Sequence, residues 1–420
     1  MKVRSHYEVL VGKSSETVIR ELEQLIGAAK IMMTEGIQWL LTQRKPNGPI
    51  MRDPNVSFVY KAVWAAYATN QDRHYITGLL DWLYEKALQP NGDFFFPEEV
   101  PFQRTGLRAY RMMVFLKFAA LLDHLIIHDE KVLRRIKQYQ DTETGGCFYY
   151  IGEDPKQPEL PGFIRIGETT FFGEFAMAAG LKDEALKAGS WMLKMVRDNH
   201  AHMTGKGIFY TETDRNGELI TDVAPGEKIF RTVNNWDANQ PGWMVGCAMV
   251  LLADLYDTMR EKWKYEAREA QPYLEAALSL LDFEDTMPVY TYFWPSKCKV
   301  AWGTGMLLRV LLKYGQGTEE QYEKLYRASK RVFLHTFLGT QLPDGSWGGE
   351  HYPLKDSSPE VKFDYRVIKG LTLYPPEEMK ESTTSIYISP VEITGEFLGE
   401  IGAMTEGLTS LLEFYRAKNT

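Results

Sequence analysis

Cysteine is scarce in this 420-residue chain. Its three residues, Cys147, Cys247 and Cys298, are too scattered for a zinc knuckle or a disulfide framework, so a reducing, cytoplasmic setting is expected. No apolar run reaches membrane-spanning length and the amino-terminal MKVRSHYEVLVGKSSETV lacks an apolar signal core, so no membrane insertion is expected. Excess positive charge is also missing. A formal net charge of −8 argues against a nucleic-acid or anionic-membrane partner, because neither polyanion would be attracted. Histidines are few, and the closest pair, His200 and His202, has no carboxylate at supporting spacing, so neither a metal nor another cofactor is expected. GETTFFGEF and GTGML lack the strand and the Lys-Ser/Thr pair of a phosphate loop.

What the chain does have is alternation. Amphipathic helices with charged faces read at about 17–43, 72–89, 130–140, 183–199, 264–283 and 319–341. Between them lie helices rich in small and aromatic residues, beginning near Ser57, Leu107, Glu168, Gln240, Cys298 and Glu392. The second set looks buried on nearly all sides, as the inner ring of a helical barrel requires. Six outer and six inner helices predict an all-α fold, a single (α/α)6 toroid over residues 1–420. Connections from outer to inner helices are long, while those from inner to outer helices, such as TNQD at Thr69, are short. One end of the barrel is therefore elaborated, and a β-hairpin around Asn216 and Gly217 is expected there.

Several outer helices end in glutamine, a turn and an aromatic or apolar residue: QRKPNGPI, QPNGDF, QDTETGGCF and QLPDGSW. Glycine accepts the positive φ that such a turn requires. Gln341, Gly345 and Trp347 give the full spacing Q-x-x-x-G-x-W, which resembles the QW repeats of the squalene and terpenoid cyclase toroids. The reading is structural, with Trp347 packed against helix ends and away from any pocket.

A ligand is expected at the elaborated end, above the amino termini of the inner helices, where backbone donors and helix dipoles point. Helix-start residues then supply the candidates. Asp53, Tyr60, Arg104, Arg108, Arg165 and Glu168 come from the first three repeats, and Trp236, Asp237, Asn239, Gln240 and Trp243 from the fourth. Lys299, Trp302, Glu392 and Glu396 complete the ring. Carboxylates serve general acid and base roles, cationic groups hold a ligand carboxylate, and indoles stack on sugar C–H faces. Asp237, set between tryptophans, is the expected general acid and Glu168 the base. Cys298, between two lysines, has no histidine partner and reads as a buried thiol.

The stretch VNNWDANQPGWMVG resembles, at Trp236, Gly242 and Trp243, the inner-helix opening of the unsaturated glucuronyl and rhamnogalacturonyl hydrolases, with the family's arginine replaced. That likeness implies an enzyme on a carbohydrate or related polar small molecule, uronates included. The stretch LDFEDTMP resembles the D-x-D-D-T acid motif of class II terpenoid cyclases, which would make Asp282, Glu284 and Asp285 catalytic in an isoprenoid cyclase. A ligand-binding toroid without catalysis is a third expectation. A small-molecule substrate is the only partner indicated, and the oligomeric state is not legible.

Overall fold

The computed structural model describes residues 13–44, 56, 59–97, 99, 108–223, 231–236, 242–287, 298–338, 341–347, 349–351, 366–367, 373–374, 386–388 and 390–419. Twelve α-helices among them alternate between two concentric rings. The outer ring consists of α1 (Ser15–Thr42), α3 (Arg73–Lys86), α5 (Glu130–Gln138), α7 (Lys182–Asn199), α9 (Ala267–Asp285) and α11 (Glu319–Val332). The inner ring consists of α2 (Tyr60–Ala68), α4 (Arg108–Leu121), α6 (Ile166–Ala178), α8 (Trp243–Glu261), α10 (Cys298–Tyr314) and α12 (Pro390–Asn419). Each inner helix packs on the next, and α12 returns to α1 and α2, closing the circle.

The two rings differ as their side chains require. On α1 the buried residues Val18, Leu22, Leu25, Ala29 and Met32 recur every three or four positions, one apolar stripe facing inward. On α6 every residue from Ile166 to Met177 is buried. Outer helices other than α7, whose start at Leu181 has no side-chain cap, begin with polar caps: Ser14 for α1, Asp72 for α3, Asp129 for α5, and a reciprocal Thr318–Gln321 box for α11. By contrast α2, α6 and α8 begin with no side-chain capping bond, so their first-turn N–H groups and dipole ends face the elaborated end.

The turns repeat as the helices do. Each of the five inner-to-outer connections places one residue at positive φ, namely Asn70, Asp123, Gly180, Lys264 and Gly315. At the other end, Gln140 Nε2 donates to the Gly145 carbonyl at 2.8 Å and Gln341 Nε2 to the Gly345 carbonyl at 3.1 Å. A Cβ on Gly145 would lie 2.5 Å from the Lys187 carbonyl of α7, and one on Gly345 2.6 Å from the Glu35 carbonyl of α1. The turns thus lock α5 to α7 and α11 back to α1. Trp347 lies beneath that final turn, 1% exposed. Its indole donates to the Phe337 carbonyl at 2.9 Å and meets Phe397 edge-on, so it packs against helix ends.

Strands are minor and all pair antiparallel in twos. Strands β1 (Phe163–Arg165) and β3 (Glu212–Asp214) pair in register Arg165↔Glu212, and β2 (Ile208–Tyr210) pairs with β4 (Thr232–Asn234). The expected hairpin is short: Gly217 turns at φ 78° and Thr213 bridges Leu219, while β2 goes to a different partner. Strands β5 (Gly349–His351) with β8 (Ile386–Ile388), and β6 (Arg366–Val367) with β7 (Leu373–Tyr374), lie between α11 and α12. Several helix ends shift by two or three residues from expectation, among them Lys86, Ala267 and Trp243, and two boundaries are notable. The outer helix read as 319–341 leaves α-geometry at Val332 and finishes as a π-helical turn, Phe333–Leu338, and the first inner helix starts at Tyr60.

Candidate active site at the amino-terminal end of the inner ring

The toroid axis is filled in three layers, set by spacing along the inner helices. Lys61 precedes Trp64 by three residues, Glu168 precedes Phe171, and Lys299 precedes Trp302. A helical step of three keeps both residues on one face, one turn apart. The three rings meet at mid-height, with centroids 4.9 Å apart for Trp64–Trp302, 5.6 Å for Phe171–Trp302 and 6.4 Å for Trp64–Phe171. The charged residues one turn earlier form a buried layer on the elaborated side of this aromatic belt.

Helix α12 supplies the carboxylates of that layer. Glu392, Glu396 and Glu400 recur at i, i+4 and i+8 and are all buried. Gly395 packs onto the Lys61 backbone, where a Cβ would lie 2.8 Å from the Lys61 carbonyl carbon, and this close approach lets α12 and α2 share their charges. Tyr60 donates to Glu392 Oε1 at 2.7 Å, and Lys61 lies 3.6 Å from the same oxygen. Glu396 is gripped from both sides: Lys61 pairs with its Oε2 and Lys299 with its Oε1, which Tyr110 also approaches at 3.3 Å. Lys299 reaches Glu400 at 3.5 Å, yet neither Glu400 oxygen accepts a hydrogen bond.

These surroundings separate the carboxyls by protonation state. Burial alone would raise Glu396, but Lys299 and Lys61 override it and hold its pKa down at about 2. Glu400 goes the other way: burial, reinforced by the Glu396 charge against the pull of Lys299, pushes it up to about 8. Burial also raises Glu392 against Lys61, and Glu168 against Arg165. Glu396 is therefore held ionised, while Glu400 beside it is pushed toward keeping its proton near neutral pH. Lys299 sits above normal despite burial because Glu396 stabilises its charge.

Glu168 joins from α6, beside Trp243, whose ring is 3.4 Å from a Cβ position on Gly167. Lys299 lies 5.5 Å from the Trp243 ring centroid. Next to Glu168, Arg165 donates to Glu212 Oε1 at 2.6 Å, Arg231 pairs with Glu212 Oε2, and Arg165 stacks over Tyr149 at 4.6 Å. The β1–β3 pairing brings Arg165 and Glu212 together.

Of the expected residues, Tyr60, Glu168, Trp243, Lys299, Glu392 and Glu396 fall in or beside this layer, and Trp302 is one turn below it. Arg108 is directed elsewhere. It is fully buried and bonds Asp93 at 3.2 Å, an acid it shares with Arg135 and Tyr139. Trp236 is 37% exposed, in a loop fastened to the end of α9 by Asn235 and Thr286. The acidic stretch on α9 belongs to the outer ring: Asp282 pairs with Lys324, and Asp285 with Arg327 and Arg331, stapling α9 to α11, while Glu284 is buried on the same helix. Asp53, Arg104, Asp237, Asn239 and Gln240 lie outside the described residues.

Sequence reasoning missed Lys61, Tyr110 and Glu400. The signal was present in the E-x3-E-x3-E spacing of α12 and the repeated polar-x2-aromatic step. Cys298 Sγ and the Glu396 and Glu400 carboxylates lie within 4.8 Å of one another, a triangle whose donor types suit a divalent metal. Lys299 contacts both carboxylates, so a protein cation already serves that position. Burial, with Glu400 adding to it, pushes the Cys298 thiol well above its usual range against the pull of Lys299, so these surroundings favour the neutral thiol.

No family model matches the chain, and no curated protein sequence matches it. Solved structures do. A D-mannose isomerase aligns over 91% of this chain and 97% of its own at a TM-score of 0.57 and 13% identity. A type II terpene cyclase from Scytonema aligns over 91% and 99%, at 0.49 and 14%. An unsaturated glucuronyl hydrolase specific for heparin aligns over 92% and 97%, at 0.45 and 11%. The fold is that of the six-hairpin toroids.

Proposed function

We propose that this protein is an enzyme acting on a carbohydrate or related polar small molecule by carboxyl general acid/base chemistry at the amino-terminal end of the inner ring. One observation carries the reading: a single face of α12 presents an ionised Glu396 and a protonated Glu400 to the same buried lysine. Paired carboxyls with pKa values driven apart are what acid/base catalysis requires. In this reading Glu396 fixes Lys61 and Lys299 as cations that stabilise a developing oxyanion. Glu400 donates a proton, Glu168 accepts one, and Asp237 is proposed as a further acid from the loop ahead of α8. Arg165 holds an anionic substituent where the substrate has one. A reducing, cytoplasmic setting belongs to the proposal.

The Glu400 carboxyl follows Gly399, which packs on the Trp64 ring of the aromatic belt, and this favours one second reading: protonation of an isoprenoid alkene against aromatic walls. A direct assay separates the two. The purified protein is incubated in D2O with neutral hexoses, uronate-bearing disaccharides and a geranylgeranyl aryl ether, and products are followed by proton NMR and mass spectrometry. The carbohydrate reading expects new reducing ends, or deuterium at a sugar carbon. Cyclisation of the prenyl compound with every sugar unchanged would transfer the assignment to the second reading.

A further inference from the structure

We propose that the opposite, carboxyl-terminal end of the inner ring carries a second small-molecule site, a groove for a neutral, hydroxyl-rich ligand such as a hexose or short oligosaccharide. Its origin is a mismatch in helix length. Helix α2 has nine residues and stops at Ala68, whereas α12 has 30 and runs on beside α1. The space left beyond the end of α2 is a groove of about 910 Å³, inside the ~300–1,000 Å³ range of small-molecule sites. The aromatic belt of Trp64, Phe171 and Trp302 separates it from the Glu396 layer.

The lining selects the chemistry. Met33, Ile37, Ala68 and Gly402 provide an apolar floor on which the C–H face of a sugar ring can rest. Thr34, Gln38, Asn70, Gln71 and Ser410 surround it with neutral donors and acceptors. Lys30 and Arg309 are balanced by Glu406 and Glu413, so the groove favours neither an anion nor a cation. Arg309 also has capacity to spare. Its guanidinium approaches Asp254, Asp257 and Glu406 only to 3.9 Å, and its Nε, though buried, has no hydrogen-bond partner. Hydroxyl groups would satisfy such a donor without adding charge.

Beside Arg309 the inner helices carry a chain of charged groups: Lys117 of α4 pairs with Glu174 of α6, Glu174 neighbours Asp254 of α8, and Arg309 of α10 reaches Asp254 and Asp257 of α8 and the exposed Glu406 of α12. Lys117 bonds Glu174 Oε2 at 2.5 Å while the other Glu174 oxygen is buried without a partner. An ordered polar layer therefore backs the groove, in place of the apolar packing that would close an ordinary helix junction.

The test uses the full chain labelled with [methyl-13C]methionine, the Met33 methyl resonance being assigned with Met33→Leu. D-mannose and maltotriose are titrated in, with inorganic phosphate and spermidine as charged probes. The site predicts saturable shifts of the Met33 methyl with at least one sugar and none with either charged probe. Thr34→Trp and Gln38→Trp fill the groove from exposed positions on α1 and should each abolish the shift. No Met33 response to either sugar, an equal response to phosphate or spermidine, or a sugar response surviving both tryptophan variants would overturn the proposal.

Discussion

Replacing Trp347 with alanine should loosen the joint that closes the outer ring. The indole is buried between the last glutamine turn, α1 and α12: a Cβ on Gly36 would lie 2.7 Å from it, and its backbone N–H donates to Thr394 Oγ1 at 2.9 Å. Truncating a buried aromatic costs about 3–5 kcal/mol through lost burial and the cavity left behind. With an unfolding entropy of roughly 2 cal/mol/K per residue, a chain of this length loses about 3–6 °C in Tm. Calorimetry of wild type and variant measures the drop. A double-mutant cycle then locates it. Gly36→Ala alone should destabilise by about 1–3 kcal/mol through overpacking. In the Trp347→Ala background the tightest contact is gone and only the Leu398 side chain, 3.0 Å from the added methyl, must give, so the penalty should shrink markedly. An unchanged Tm for Trp347→Ala, or the same Gly36→Ala effect in both backgrounds, would refute the closing role.

Gly345→Ala should lose about 1–2 kcal/mol from its φ of +89° alone, and more from the Glu35 carbonyl, in urea unfolding; Gly27→Ala, with nothing within 4 Å, should be neutral or better. Glu174 has its pKa pushed up from 4.5 to about 8 by burial and Asp254, so the folded state holds a proton that the unfolded chain has lost in between. That stabilisation is complete below about pH 4.5 and lost as pH rises through about 8, so Glu174→Gln should flatten the fall in Tm between pH 5 and 9, and an identical slope would count against it. Glu396 has the opposite sign: its contribution is present above about pH 4.5 and lost as pH falls toward about 2. Glu396→Gln removes the nearest carboxylate from two buried ammonium groups, leaving Lys61 only Glu392 at 3.6 Å and Lys299 only Glu400 at 3.5 Å, and should cost about 3–5 kcal/mol in denaturant titration, unless Lys61→Met and Lys299→Met accompany it.

The rings were legible because helical period and burial leave separate marks: one apolar stripe on α1, none on the wholly buried α6. The turns were legible because positive φ and a fixed glutamine bond each demand a residue type, as at Gln341 and Gly345. The candidate site was only half visible. Position near an inner-helix start identified Tyr60, Glu168, Lys299 and Glu396, but it cannot reveal which way a side chain turns about the helix axis. Arg108 shows the difference, since Asp93, from the turn after α3, draws its guanidinium into an ion network of its own. Lys61 and Glu400 were overlooked because each reads as a helix-interior residue until α2, α10 and α12 meet. Asp282 and Asp285 resembled a catalytic motif although the sequence already put them at the end of an outer helix; their ion pairs with Lys324, Arg327 and Arg331 were not legible there.

The central claim is that proton chemistry belongs to the Glu400 end of the lumen. Glu400 and Glu174 are both buried carboxyls pushed to about 8, on opposite sides of the aromatic belt, so each is the other's control. Turnover of Glu400→Gln and Glu174→Gln should be compared on the first substrate that the sugar panel yields, with Tm confirming that both are folded. The account predicts a loss of about a hundredfold or more in kcat for Glu400→Gln and near wild-type turnover for Glu174→Gln. Full activity in Glu400→Gln, or a loss confined to Glu174→Gln, would contradict it.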